Sequence, residues 1–187
     1  MSCSPIPMAL LRILKYPEPS LKEPAKEVAN IDGKLASFID SLTQTMYAAP
    51  GVGLAAPQVG SSQRIVVLDT DHDNPGKSLL KLINPEIVEA EGSIIWEEGC
   101  LSIVDFTADV KRAAKVLVRA WTPDQKQIEI EAEDLLAVAL QHEIDHLEGK
   151  LFIDRISRLK REIYKRKVKK MIKDGTFEKA RPPSVQI

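Results

Sequence analysis

Cysteine and histidine are scarce in this chain. Its 187 residues include two cysteines, Cys3 and Cys100, and three histidines. Two cysteines are too few for a disulfide framework, so a reducing compartment is the default. Long apolar runs are missing too, and nothing approaches the roughly 18 residues of a membrane span. The opening MSCSPIPMALLRIL has no basic segment ahead of its apolar run, and Arg12 interrupts that run. This is a poor secretory signal. Repeats, low-complexity tracts and internal linkers are absent. Charge of one sign is not in excess either, with 26 Lys/Arg against 27 Asp/Glu. These absences describe a cytoplasmic protein, expected to be monomeric and free of membranes, forming one domain over 1–187. Residues 1–7, with Pro5 and Pro7, read as a loose N-terminal tail.

What is present is periodic. Residues 32–46 place Leu35, Phe38, Ile39, Leu42 and Met46 at helical spacing behind a candidate N-cap, Asp32. APGVGLAAPQVG, 49–60, reads as a loop. Strand-like runs follow at Arg64–Leu68, Leu79–Ile83, Lys115–Trp121 and Gln127–Glu131, and DHDNPG at 71–76 is turn chemistry. Residues 134–148 form the strongest helix, with Asp134 as candidate cap and Gly149 as a left-handed stop. Leu135, Leu136, Val138, Ala139, Leu140, Ile144 and Leu147 spread around most of its circumference, which predicts a buried helix. The last helix, about 157–173 within the terminal segment 157–187, is different. Arg155 to Lys173 holds ten Lys/Arg and one Glu, a local +9 against −10 for the rest.

The chemistry lies in QHEIDHLEG, 141–149. His142 and His146 are four apart, so both imidazoles fall on one helix face, about 5–6 Å apart at Cβ. In HExxH the histidines ligate a metal and the glutamate, Glu143, addresses water. A catalytic metal normally has three protein ligands and an open position. Cys100 in EEGCLS is the first candidate for the third. His72 in a polar turn is a rival, and Glu162 in the basic helix would be the zincin-like choice. GVGLAAPQ, 51–58, lacks the Lys-Ser/Thr of a phosphate loop. It offers backbone amides and the Gln58 carboxamide, donors suited to an oxyanion and an extended peptide.

GVGLAAPQ, EGCLS and QHEIDHLEG, in that order, resemble the three motifs of bacterial peptide deformylases, and the resemblance runs from about Leu11 to Ser157. It implies an α+β fold in which β-sheets wrap a central HExxH metal helix, with the basic helix at the C-terminus. It implies a metal-dependent hydrolase that removes the N-formyl group from formylmethionyl chains as formate. The implied ligands are Cys100, His142 and His146, on one divalent ion: Fe2+ in the cell, with Zn2+ and others able to occupy the site. Glu143 is the implied general base, and Gln58 and the Leu101 N–H form the oxyanion hole. Val52, Gly53, Trp96, Leu135, Val138 and Ala139 are expected to line the methionine pocket. Glu98 and Arg112 are expected to pair near the cysteine. Nascent formylmethionyl polypeptides are the implied partners, and the basic helix is expected to dock on ribosomal RNA. Val104 departs from the family pattern, where proline is common, so the segment after the cysteine is expected to follow its own path.

Overall fold

The computed structural model describes residues 10–49, 51–71, 73–180 and 182. Helix α1 spans Gly33–Ala48, capped as expected by Asp32, whose carboxylate accepts the Leu35 N–H at 2.9 Å. Leu35, Ile39, Leu42 and Met46 form its buried stripe. Seven strands follow: β1 Gly53–Ala55, β2 Ile65–Leu68, β3 Leu80–Glu91, β4 Ile94–Cys100, β5 Ile103–Arg112, β6 Lys115–Trp121 and β7 Gln127–Glu133. Five make an antiparallel sheet in the order β1-β2-β3-β6-β7, and β4-β5 is a separate hairpin. Helix α2 is Asp134–Leu147 and helix α3 is Arg158–Lys173. The α+β reading holds. Among the described residues, no helix is long and apolar enough to cross a membrane.

Several boundaries differ from the sequence reading. The loop assigned to 49–60 contains β1, paired with β2, and a 3-10 turn at Ala56–Val59. Its residues are too short a run to alternate, yet Gly53 to Gln58 are all buried and their backbone needs partners. Strand β3 runs past Ile83 to Glu91, and the β4-β5 hairpin was not foreseen. Charged residues interrupt these segments, and bulges break their register. After the turn at Leu101 and Ser102 the chain, Val104 included, continues as strand β5, and Val104 is fully buried. Asp134 does not cap α2. The cap is Glu133, without a side-chain bond, because β7 runs straight into the helix and Asp134 makes the corner at φ 51°. Aspartate tolerates that left-handed corner better than most residues. Gly149 ends the helix at φ 67°, and a Cβ there would lie 2.5 Å from the Lys22 carbonyl oxygen.

The five-stranded sheet packs on one side of α2, where Val66, Leu68, Leu82, Val116 and Val118 meet Ala137, Val138, Leu140 and Ile144. A second apolar cluster joins Cys100, Ile103 and Val110 of the hairpin to Phe152 and to Tyr164 and Val168 of α3. Every α2 residue from Ala137 to Leu147 is buried. The helix is enclosed, as its all-round apolar pattern predicts.

Candidate metal centre

Helix α2 presents His142 and His146 one turn apart, ring centroids 5.0 Å apart and planes 74° apart. The hairpin brings Cys100 to them. A register shift between Glu98 and Cys100 leaves Cys100 opposite Ile103, with Leu101 and Ser102 making the tight turn. Bulges of this kind re-aim side chains next to active sites. The Cys100 Sγ lies 3.3 Å from His146 Nε2. One donor atom from each of Cys100, His142 and His146 falls within 4.8 Å of the others, all buried. That separation suits donors held about 2.0–2.3 Å from a common ion.

The buried polar atoms support that fit. His142 Nδ1 donates to Glu98 Oε2 at 2.8 Å, which leaves Nε2 as the acceptor, and Nε2 has no hydrogen-bond partner among the described residues. Both Glu143 oxygens are likewise buried without a partner. Orphaned polar atoms in an interior are rare and call for an explanation. A divalent ion with an attached water would satisfy them. Glu162, the zincin-like alternative, lies on the surface of α3, paired with Lys165 at 3.0 Å. It cannot complete this site. His72 lies outside the described residues.

Glu143 is pressed against the GVGLAAPQ segment. A Cβ on Gly53 would fall 2.4 Å from Glu143 Oε1, so only glycine leaves the carboxylate this room. Gln58 is held at both ends of its carboxamide. Its Oε1 accepts the Ala55 N–H at 2.8 Å, which aims Nε2 at Ser102 Oγ, 3.2 Å, and at Cys100 Sγ, 3.5 Å. Leu101 is buried at the turn beside them. Val52, Val138 and Ala139 share one apolar cluster with Trp96 packed against it, while Leu135 is only partly buried.

Charge is distributed unevenly around the site. Burial, with the Glu98 carboxylate close by, pushes the Glu143 carboxyl well above its ordinary range. Burial also raises the Cys100 thiol, and Glu143 and Glu98 add to this, while the Ser102 and Ile103 amides oppose it. Burial, then His142, holds His146 well below the ordinary imidazole range. The protein alone thus favours neutral forms of all three groups. A bound divalent cation inverts this preference and deprotonates the thiol. Glu98 behaves differently. Burial would raise it, but hydrogen bonds from Arg112 and His142 outweigh burial and hold it low.

The expected Glu98–Arg112 pair is present as a two-pronged contact of 2.6 and 2.8 Å. Three neighbours of the site have no counterpart in the sequence reading: Ser102, which accepts from Gln58, and Asp145 and Arg155, which extend the pair. Asp145 had a signal. An aspartate on a helix that is apolar all round must be paired.

A buried three-donor metal centre with an adjacent carboxyl and an amide donor belongs to a metal-dependent hydrolase. Comparison with known proteins narrows this class. The family described as Polypeptide deformylase matches residues 10–162. The peptide deformylase of Syntrophobacter fumaroxidans is 53% identical over 169 residues, covering 90% of this chain and 99% of that protein. The crystal structure of a peptide deformylase from Legionella pneumophila superposes with a TM-score of 0.82 at 45% identity, over 88% of this chain and 96% of that one. That of Synechococcus elongatus, in complex with actinonin, gives 0.78 at 38% identity over 88% of each chain. The chain belongs to the polypeptide deformylase family.

Proposed function

We propose that Glu143, Gln58 and Leu101 perform, around a divalent ion on Cys100, His142 and His146, the deformylation that defines the family. The chain is a hydrolase that removes the formyl group from N-terminal formylmethionine of newly made polypeptides and releases formate. The observation that carries the residue roles is the meeting of three motifs. Glu143 abuts Gly53, and Gln58 Nε2 points at Cys100.

A divalent cation there supplies a Lewis acid and makes water a nucleophile near neutral pH. Glu143, ionised beside the bound cation and with both oxygens otherwise unpartnered, takes the proton of the attacking water. Attack on the formyl carbon places negative charge on its oxygen. Gln58 Nε2 turns one N–H from its weak 3.5 Å sulfur contact to that oxygen, keeping Ser102 on the other. The Leu101 N–H is the second donor. Glu143 then returns its proton to the methionine nitrogen as the C–N bond breaks, leaving a free amine and formic acid, which gives up its proton to become formate. Val52, Gly53, Trp96, Leu135, Val138 and Ala139 form the methionine pocket. The support is the shared apolar cluster of Val52, Val138, Ala139 and Trp96 beside α2.

Ferrous iron is the resident ion and zinc an alternative. The support is the family resemblance and a donor set of one thiolate and two imidazoles, which suits both. Protein purified without air should contain about one iron per chain and release formate from an N-formylmethionyl peptide. Absence of formate release from metal-loaded protein would overturn the reading.

Helix α3 docks on ribosomal RNA where nascent chains emerge. Eight of its cations, Arg158, Lys160, Lys165, Arg166, Lys167, Lys169, Lys170 and Lys173, are exposed. Phosphate backbone is their natural partner. Charge-reversed α3 should lose salt-sensitive ribosome binding and keep activity on a short peptide. Unchanged cosedimentation at low salt would refute the docking.

A further inference from the structure

We propose that Arg155 is a positioning residue for the metal ligand His142, acting through a buried relay of three other charged side chains. Arg155 follows the 3-10 turn Phe152–Asp154 and leads into α3. Its side chain is 39% exposed, whereas those of Asp145, Arg112 and Glu98 are 7%, 1% and 0% exposed. The relay therefore begins at the surface and ends at the metal centre.

Each link is specific. Arg155 Nε and Nη2 donate to the two oxygens of Asp145. Asp145 Oδ2 also accepts from Arg112 Nη1. Arg112 grips both Glu98 oxygens with Nε and Nη2, at 2.6 and 2.8 Å. Glu98 Oε2 accepts the His142 Nδ1–H at 2.8 Å. The last contact sets the tautomer and the ring plane that aim Nε2 at the ion. Two carboxylates are balanced by two guanidiniums. Without Arg155 the buried part carries one net negative charge, and Asp145 retains Arg112 alone. A buried carboxylate that loses a partner draws harder on the one left. Arg112 is already committed to Glu98, so its pull towards Asp145 loosens the fork that holds Glu98 under His142.

The proposal rests on the ligand assignment above, and its test separates the two. Zn2+ affinity is measured by chelator competition on the full chain, and the absorption spectrum of the Co2+ form reports ligand geometry. Arg155→Ala is expected to weaken zinc binding about ten- to a hundredfold, the usual range for partners behind a ligand, and to shift the cobalt bands. In a Glu98→Gln background the same substitution should add little, because its route to His142 is already cut. A merely structural role would instead give additive losses. Zinc affinity and cobalt bands equal to wild type in folded Arg155→Ala would overturn the proposal, and so would full additivity with Glu98→Gln. Arg155→Gln, which keeps most of the side-chain stem, carries the same expectations if the alanine variant does not fold. Wild-type protein with no affinity for zinc would overturn the ligand assignment itself.

Discussion

Helices α2 and α3 each carry a glutamate among positive or potentially positive neighbours, and the two glutamates are driven in opposite directions. Glu143 in α2 is held well above its ordinary range by burial and then by Glu98. Glu162 in α3 is held below it by its hydrogen bond from Lys165, with Arg161 and Arg158 assisting. The difference is solvent. In α2 every polar group from Gln141 to His146 is enclosed and must be matched atom by atom, so each has a specific partner or a chemical role. In α3 the charges lie in water, where a given pairing contributes little. A function lodged in α2 depends on single residues. One lodged in α3 depends on total charge.

The sharpest break of that contrast is at the centre of α2. Glu143→Ala should keep its metal and lose about 10²–10⁴ in turnover, the usual range for a general base. Turnover within a few-fold of wild type would remove Glu143 from the chemistry. Cys100→Ala should lose metal, whereas Cys100→Asp should retain part of it, since carboxylate also ligates. Metal analysis of the two purified variants decides. Gln58→Leu comes next, with kcat lower by about 10²–10³ and KM little changed. A change in KM alone would make Gln58 a substrate-positioning group only.

How much of this could be read from the sequence follows the same division. His142, Glu143 and His146 were legible because helical spacing is local, and Cys100 because a two-histidine site lacks a ligand. Glu98–Arg112 was anticipated. Asp145 lies inside the quoted motif, yet its partners Arg112 and Arg155 come from β5 and from the turn before α3, and no local period records such pairings. The β4-β5 hairpin escaped because adjacent charges, Glu97–Glu98 in β4 and Lys111–Arg112 in β5, spoil the alternation of a strand, and its bulge breaks the pattern where Cys100 is aimed. The corner at Asp134 escaped because the strand enters the helix with no loop between them. Residues 1–7, read as a loose tail, lie outside the described residues.

The fourth test divides α3 against itself. Tyr164 is fully buried and its ring stacks on Phe106 with centroids 4.7 Å apart, in the same apolar cluster as Cys100. Tyr164→Ala should destabilise the fold by about 3–5 kcal/mol, as large aromatic truncations do. Reversing the exposed Lys169 or Lys170 should move stability by no more than about 0.5 kcal/mol. Denaturant melts of the variants give both numbers. Equal losses would mean that the outer face of α3 is also structural. Tyr164 and Val168 also make truncation at residue 157 a poor probe of ribosome docking, since it would remove part of the core.

The smallest effect expected is at Glu162, and its sign separates it from every change in α2. Its carboxyl is depressed in the folded chain, so its contribution to stability is present above the unfolded carboxylate range, about 4.3. That contribution fades as the pH falls through the folded value. Glu162→Gln should therefore lower the melting temperature slightly near neutral pH, and this deficit should shrink as the pH falls through the folded value and the wild-type carboxyl becomes protonated in both states. Salt gives a second handle. The Lys165 and Glu162 side chains are 44% and 45% exposed, so their attraction is screened. In about 1 M salt, where the screening length is about 3 Å, the difference from wild type should close. The measurement is a set of thermal melts at two pH values and two salt concentrations. A deficit that persists in high salt and at low pH would show that Glu162 acts through packing or a specific hydrogen bond. The outer face of α3 would then share the atom-by-atom dependence of α2, and the contrast between the two helices would fail at that residue.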